Sequence, residues 1–166
     1  MTHGWHIERL GTQDRATFCS GNDALDRYFC DHVTQDIRRR LSHCFVLLDA
    51  SDELAGYYTF AATSVPVNEL PADLTQRLPR YPSLPAGLIG RLAIDQQFQR
   101  QGLGSLLIAD AASRAIRAEP AIDALVVDAK HDEAAAFYLH LGFQRFISQP
   151  RRLFIALSEM ARRLSS

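Results

Sequence analysis

The stretch Gln99-Arg100-Gln101-Gly102-Leu103-Gly104 follows an apolar run ending at Asp95 and precedes a segment with helical periodicity. Glycines at 102 and 104 let backbone N–H groups close around an anion, and a helix N-terminus directly after them adds partial positive charge. A pyrophosphate fits such a nest. The loop is neither a Walker A motif, because Ser105-Leu106 replaces Lys-Ser/Thr after Gly104, nor a dinucleotide fingerprint, because the third glycine is missing. Further along, Tyr138 offers a phenol for proton transfer, with an ordinary pKa near 10. It also shares a helix face with Ala134, Phe137 and Leu141, which core packing alone explains. Glu133, Asp95, Asp128 and His131 have the right chemistry for a general base. Each has a simpler role as a helix-start carboxylate, a strand-end residue or a solvent-facing ring. The histidines at 3, 6, 32, 43, 131 and 140 form no HExxH or comparable group, and G-x-S-x-G is absent, so neither a metal site nor a serine nucleophile elbow is expected.

These residues need a scaffold, and the periodicity supplies one. Trp5 to Leu10 alternates as a half-buried strand. Asn22 caps a helix carrying Leu25, Tyr28, Phe29, Val33 and Ile37 on one face and ending in Arg38-Arg39-Arg40, where cations complement the helix dipole or meet an anionic ligand. Cys44–Asp49 and Leu54–Val65 read as an antiparallel hairpin around the polar turn Ala50 to Glu53. Prolines crowd the span from Pro66 to Pro85, which predicts an irregular crossing with one helical turn at Asp73 to Arg77. Leu88–Asp95 reads as one buried strand, followed by the Gln99–Gly104 turn and a helix through Ala115. A second buried strand, Ala124–Ala129, leads to a helix from Asp132 to His140 that Gly142 stops. Phe143–Phe146 and Leu153–Ala156 are closing strands, and Ser158–Leu164 is a last helix. The order predicts an α+β class, a mixed α/β layer with helices over one sheet, as a single domain across residues 1–166.

Composition narrows the function. With 47% hydrophobic and 22% charged residues in 166, the chain has the make-up of one globular domain. Eighteen Lys+Arg against nineteen Asp+Glu exclude a strongly cationic nucleic-acid binder but leave local patches open. Every cation except Lys130 is arginine, which suits planar phosphate recognition and equally follows from a GC-rich genome. Cys19, Cys30 and Cys44 form no CxxC pair, and no signal peptide or membrane-length apolar run is present, so a cytoplasmic protein without membrane contact is expected.

The loop at 99–104 after a strand ending Leu92-Ala93-Ile94-Asp95, together with the later Phe137-Tyr138-Leu139-His140-Leu141-Gly142-Phe143, resembles the acetyl-CoA-binding half of the GNAT acyltransferase superfamily. That resemblance implies a GNAT acyl-CoA N-acyltransferase fold, with a mostly antiparallel sheet, splayed parallel strands at Leu88–Asp95 and Ala124–Ala129, and flanking helices. It also implies acetyl-CoA as co-substrate and no metal. Gln99, Arg100, Gln101, Gly102, Leu103, Gly104 and Ser105 would hold the pyrophosphate. Leu92, Ala93 and Ile94 would line the pantetheine arm, with a backbone N–H near Ala93 on the thioester carbonyl. Tyr138 would protonate the leaving thiolate. GNAT members often carry Asn seven residues before this tyrosine, and here His131 stands there.

Further segments, among them Phe18-Cys19-Ser20-Gly21, Gly56-Tyr57-Tyr58-Thr59, Leu78-Pro79-Arg80-Tyr81-Pro82 and Val127-Asp128-Ala129-Lys130, resemble the GNAT toxins of bacterial toxin–antitoxin modules. This implies acetylation of the α-amine of aminoacyl-tRNA, a homodimer, and a ribbon-helix-helix antitoxin as partner. Arg77, Arg80, Arg91, Arg145, Arg151 and Arg152 flank the expected cleft as candidate phosphate contacts, although each alone reads as a solvated charge. Two alternatives stay open: a GNAT enzyme acting on a free small amine, and a non-catalytic acetyl-CoA-binding protein.

Overall fold

The computed structural model describes residues 4–76 and 81–165. The fold is mixed α/β, with mostly antiparallel strands, one parallel pair and flanking helices. It resolves into two compact units, one of residues 1–61 and 90–110, the other of 62–89 and 111–166.

In the first unit β1 (His6–Arg9), β2 (His43–Leu48), β3 (Leu54–Pro66, which continues into the second unit) and β5 (Leu92–Ile94) form an antiparallel sheet. Cys44, Val46, Leu48, Tyr57 and Ala93 face one side of it, buried with Leu25, Tyr28, Phe29 and Val33 of the overlying helix. That helix begins where Asn22 accepts the Leu25 N–H, as read from sequence. It is not continuous α-helix. α1 (Asp23–Arg27) passes through a π turn (Tyr28–His32) into α2 (Val33–Arg38). The wider turn leaves both Tyr28 and Phe29 buried.

The expected single strand over Leu88–Asp95 is corrected by the structure. β4 (Ser83–Ile89) ends before Gly90-Arg91, and β5 resumes with a different partner. In the second unit β4 runs parallel to β6 (Ala124–Asp128), from Ala86 opposite Ala124 to Ile89 opposite Val127, whereas β5 pairs antiparallel with β3 in the first unit. The parallel pair is therefore Ser83–Ile89 with Ala124–Asp128. The spelling LIGRLAID conceals the exchange, because apolar residues stand on both sides of Gly90-Arg91 and read as one run. Gly56 permits it: a Cβ there would lie 2.9 Å from the Ala93 carbonyl and 2.7 Å from the Ile94 side chain, so β5 comes closer to β3 than any side chain allows.

The second unit continues from β6 to β8 (Arg152–Ala156) and the two-residue β7 (Gln144–Arg145), both pairings antiparallel. Val65, Leu84, Ala86, Ala124, Val126, Phe146 and Phe154 form its core on one face. By strand alternation Leu125, Val127, Leu153 and Ile155 point to the other. The proline-rich crossing is shorter than expected, since β4 already starts at Ser83; it holds a 3-10 turn (Val67–Glu69) and α3 (Ala72–Thr75). Helices α4 (Leu103–Ile116), α5 (Asp132–His140) and α6 (Leu157–Leu164) lie where the periodicity placed them.

Candidate functional site

In the first unit, β5 and the turn after it carry the candidate coenzyme-binding groups. The Asp95 N–H donates to the Ala55 carbonyl and the Thr59 N–H to the Arg91 carbonyl, so residues 91, 93 and 95 face β3. Alternation then aims the N–H groups of Leu92 and Ile94 away from β3, along the other edge of β5. The Ile94 carbonyl on that outer edge takes the Gln99 side-chain amide at 3.0 Å. The backbone donor expected near Ala93 is therefore a neighbour of Ala93, because its own N–H belongs to the sheet.

Asp95, which the sequence offered as a candidate general base or a strand-end residue, fastens this corner. Its carboxylate is buried and accepts the N–H of Cys19 at 3.0 Å and of Gln97 at 2.9 Å, while the Gln96 N–H donates to the Cys19 carbonyl. Gln99 adds a second tie through the Ser20 carbonyl at 2.9 Å. Its side chain thus ties the loop to the strand end and to the segment at Ser20.

In the turn, Arg100 (φ 67°) and Gly102 (φ 74°) adopt left-handed backbone. Alternating right- and left-handed residues bring successive N–H groups to one concave side. The first helical bond of α4 runs from the Leu106 N–H to the Gly102 carbonyl, so Leu103, Gly104 and Ser105 open the helix with N–H groups that have no acceptor within it. A Cβ placed on Gly102 would meet nothing within 4 Å. Positive φ, open space and unspent N–H groups coincide here. They suit the diphosphate of coenzyme A, and Arg100, exposed beside them, adds a charge.

Arg91 sits at the break between β4 and β5. Its N–H donates to the Thr59 hydroxyl at 3.1 Å, and its guanidinium lies 3.6 Å from the centroid of the Tyr28 ring, whose hydroxyl donates to Asp36 at 2.6 Å. The stack fixes a cation in place.

The second unit carries the proton-transfer candidate. Tyr138 is 4% exposed, packed between Phe137 and Phe143 on α5, and among the described residues its hydroxyl has no hydrogen-bond partner. Burial, and secondarily the Asp128 carboxylate, push the phenol well above its usual range. It is therefore present as the neutral phenol, with a hydrogen to offer a leaving group.

Around it, the candidate bases are engaged elsewhere. Asp128 is bound by Arg152 through both oxygens, at 2.7 and 2.9 Å. His131 caps α5, its Nδ1 accepting the Ala134 N–H at 3.2 Å. Asp132 pairs with Arg151 at 2.8 Å. Glu133 is an exposed first-turn carboxylate. Of the arginines proposed as phosphate contacts, Arg145 donates to the Pro150 carbonyl, Arg151 and Arg152 are paired with carboxylates, and Arg77 and Arg80 lie outside the described residues. A cavity of about 280 Å³ opens at the end of β6, lined by Asp128, Ala129, Gln149, Pro150, Arg151 and Arg152. Its rim is braced by Glu69, whose carboxylate takes the Ser148 N–H at 2.8 Å and the Ser148 hydroxyl. No sequence motif announces this clamp, which joins residues 79 apart. Among the described residues no group of three or more His, Cys, Asp or Glu could hold a metal ion, and no helix is long and apolar enough to cross a membrane.

Residues 40–145 match the acetyltransferase (GNAT) domain family. The tRNA-acetylating toxin of Mycobacterium tuberculosis is 33% identical over 148 residues, covering 88% of this chain and 87% of that protein. The structure of AtaT complexed with acetyl-methionyl-tRNAfMet superposes with a TM-score of 0.85 at 26% identity, covering 96% of this chain and 99% of AtaT. AtaTR bound with acetyl-CoA gives a TM-score of 0.80 at 27% identity, covering 97% and 98%.

Proposed function

Because the chain belongs to the GNAT acetyltransferase family, we propose that it transfers acetyl from acetyl-CoA to the α-amine of an aminoacyl-tRNA, blocking translation as the toxin of a toxin–antitoxin pair. The observation that carries the choice of acceptor is the state of the candidate bases. Asp95, Asp128 and His131 are each committed to bonds of their own, and Glu133 is a surface carboxylate. A lysine-type amine near pKa 10.4 needs a base to become nucleophilic, whereas an α-amine near 8 is substantially neutral at physiological pH. This site suits the second.

In this reading the N–H groups of Gln101 to Ser105 and the side chain of Arg100 hold the diphosphate, and the outer edge of β5 aligns the pantetheine arm. The N–H of Leu92 or Ile94 polarises the thioester carbonyl. The acceptor nitrogen bonds to the acetyl carbon, the C–S bond breaks, and the Tyr138 hydroxyl passes its proton to the departing sulfur. The amine's surplus proton leaves to water, which also returns one to Tyr138. His131, in the place where GNAT members often have Asn, caps α5 through Nδ1 and leaves Nε2–H to face the co-substrate. The cavity at the end of β6 receives the amino-acid end of the acceptor.

The reading extends to the whole chain as one acetyltransferase domain, which the family match supports by drawing residues from both units. A cytoplasmic homodimer, neutralised by a ribbon-helix-helix antitoxin, completes it. In a cell-free translation reaction supplied with acetyl-CoA, the wild-type protein halts synthesis and the Tyr138→Phe variant does not. Undiminished translation with an active, acetyl-CoA-binding wild type would instead point to a free small amine.

A further inference from the structure

Arg91 is half-buried, yet among the described residues its guanidinium forms no ion pair and no hydrogen bond. Arg145, Arg151 and Arg152, by contrast, each donate to an oxygen. Every nitrogen of a guanidinium is a donor, and shielding such a group from water without an acceptor costs free energy. The stack on Tyr28 offsets part of that cost, because the ring face attracts the cation at 3.6 Å without engaging an N–H.

Both the main chain and the side chain of Arg91 are held. Its N–H donates to the Thr59 hydroxyl and its carbonyl accepts the Thr59 N–H, which fixes the backbone against β3. The Tyr28 ring is buried and anchored at its far end by Asp36, whose carboxylate accepts the hydroxyl at 2.6 Å. Tyr28 and Asp36 stand eight residues apart. That spacing leaves roughly 80° between side chains of a regular α-helix, and the π turn between them takes up the difference. Burial, and then the bond to Asp36, raise the phenol well above its usual range, so the ring stays neutral and the charge on Arg91 is not cancelled by it.

The two faces of β5 restrict what Arg91 can meet. Tyr57 stands opposite Ala93 and Thr59 bonds to Arg91, so these residues face the side of the sheet where Tyr28 lies. The other face belongs to α4: Tyr58 donates to Asp110 at 2.6 Å, and a Cβ on Gly56 would lie 3.6 Å from the Leu107 side chain. Arg91 is therefore across the sheet from α4, the helix that opens at the candidate diphosphate turn. The peptide that joins it to Leu92 nevertheless carries one of the two outer-edge N–H groups assigned to the thioester above. An anion held by Arg91 would lie beside the reacting carbonyl, on the face opposite α4.

In the aminoacyl-tRNA reading above, on which this inference rests, the anionic group nearest the α-amine is the phosphodiester of the terminal nucleotide. We infer that Arg91 binds that phosphodiester, and that Tyr28 and Asp36 are positioning residues that hold its guanidinium for it. The contact distinguishes an amino acid esterified to a nucleic acid from a free one.

The test is acetyl transfer to charged total tRNA over a salt series, with KM and kcat measured for wild type and variants. Arg91→Gln is expected to raise KM for charged tRNA about 10-fold while kcat stays within about twofold. The slope of log KM against log salt falls by about 0.7, as for the loss of one single-stranded phosphate contact. Arg91→Lys keeps the charge and most of the slope, and its KM lies between the two. Tyr28→Phe keeps the ring and loses only the tie to Asp36; it raises KM about 3-fold with kcat, salt slope and acetyl-CoA affinity unchanged, a pattern that a loss of stability does not give. Unchanged KM and slope in Arg91→Gln overturn the contact and leave the acceptor standing. A fall in kcat alone also overturns it, and assigns Arg91 to the reacting carbonyl. If circular dichroism shows Arg91→Gln unfolded, Arg91→Lys and Tyr28→Phe carry the test, and an unchanged KM in both overturns the contact. Wild type that acetylates no charged tRNA overturns the acceptor reading and the contact together.

Discussion

In the proposed reaction Tyr138 is the proton donor, and its surroundings decide what it can do. A phenol enclosed by Phe137, Phe143 and the α5 backbone, with a carboxylate nearby, holds its proton more tightly than a free one. It therefore meets a leaving group as a neutral phenol with a hydrogen to offer. Tyr138→Phe removes one oxygen from a packed site and leaves the volume nearly intact, so the fold and acetyl-CoA affinity persist. Loss of a positioned proton donor lowers kcat by about 10² to 10³-fold, measured by thiol release with charged tRNA as acceptor. The turn at Gly102 and the helix that carries Tyr138 were legible from spacing, because both are local patterns, whereas the roles given to them came only through the resemblance to the GNAT family. The stack of Arg91 on Tyr28, the double seat of Asp95 and the Glu69–Ser148 clamp were not legible. Each depends on which distant segments meet, and the residue types involved are common on any surface.

At the scale of elements, the decisive feature is the change of partner between β4 and β5. Periodicity reports apolar runs and not pairing partners, and apolar residues flank Gly90-Arg91 on both sides, so the pattern does not mark the break. The π turn in the first helix is concealed similarly, since one wider turn shifts the apolar face only locally. Gly56 gives a direct test of why β5 lies where it does. Gly56→Ala puts a methyl against the Ala93 carbonyl, displacing β5 from β3, and raises KM for acetyl-CoA several-fold while the Tyr138-dependent step survives. Circular dichroism separates this from unfolding. The β6–β8 end makes a second test. Arg152 holds a half-buried Asp128 through two bonds, whereas Arg151 meets Asp132 on an open surface. Arg152→Ala therefore costs about 2 kcal/mol in a urea titration, by stranding a shielded carboxylate. Arg151→Ala costs about 0.5 kcal/mol or less.

For the molecule as a whole, several protons are held more tightly by the folded chain than by the unfolded one. Burial pushes the Cys44 thiol up from 9.0 to about 12, and Tyr28, Tyr57 and Tyr138 are raised likewise. Well below pH 9 these groups are protonated folded or unfolded and stability does not depend on them. Above it the unfolded chain releases protons that the folded chain retains, so stability falls as pH rises, by about 1.4 kcal/mol per pH unit for Cys44 alone. The urea midpoint is expected to drop from pH 9 upward, and Cys44→Ala to delay that drop until the tyrosines begin to titrate near pH 10. A midpoint flat to pH 10.5 in both proteins would contradict the burial of these groups. The class of fold and the order of its elements were readable because long amphipathic and apolar runs dominate the chain. The acceptor was read only through the resemblance to the GNAT toxins, because a nearly neutral composition and scattered arginines name no acceptor by themselves. The most direct measurement of that choice is transfer of labelled acetyl from acetyl-CoA to total tRNA, charged in one tube and deacylated in the other. An enzyme of aminoacyl α-amines labels only the charged pool, and mild base that cleaves the aminoacyl ester removes the label. Equal or absent labelling of the two pools, with acetyl-CoA still bound, would contradict it.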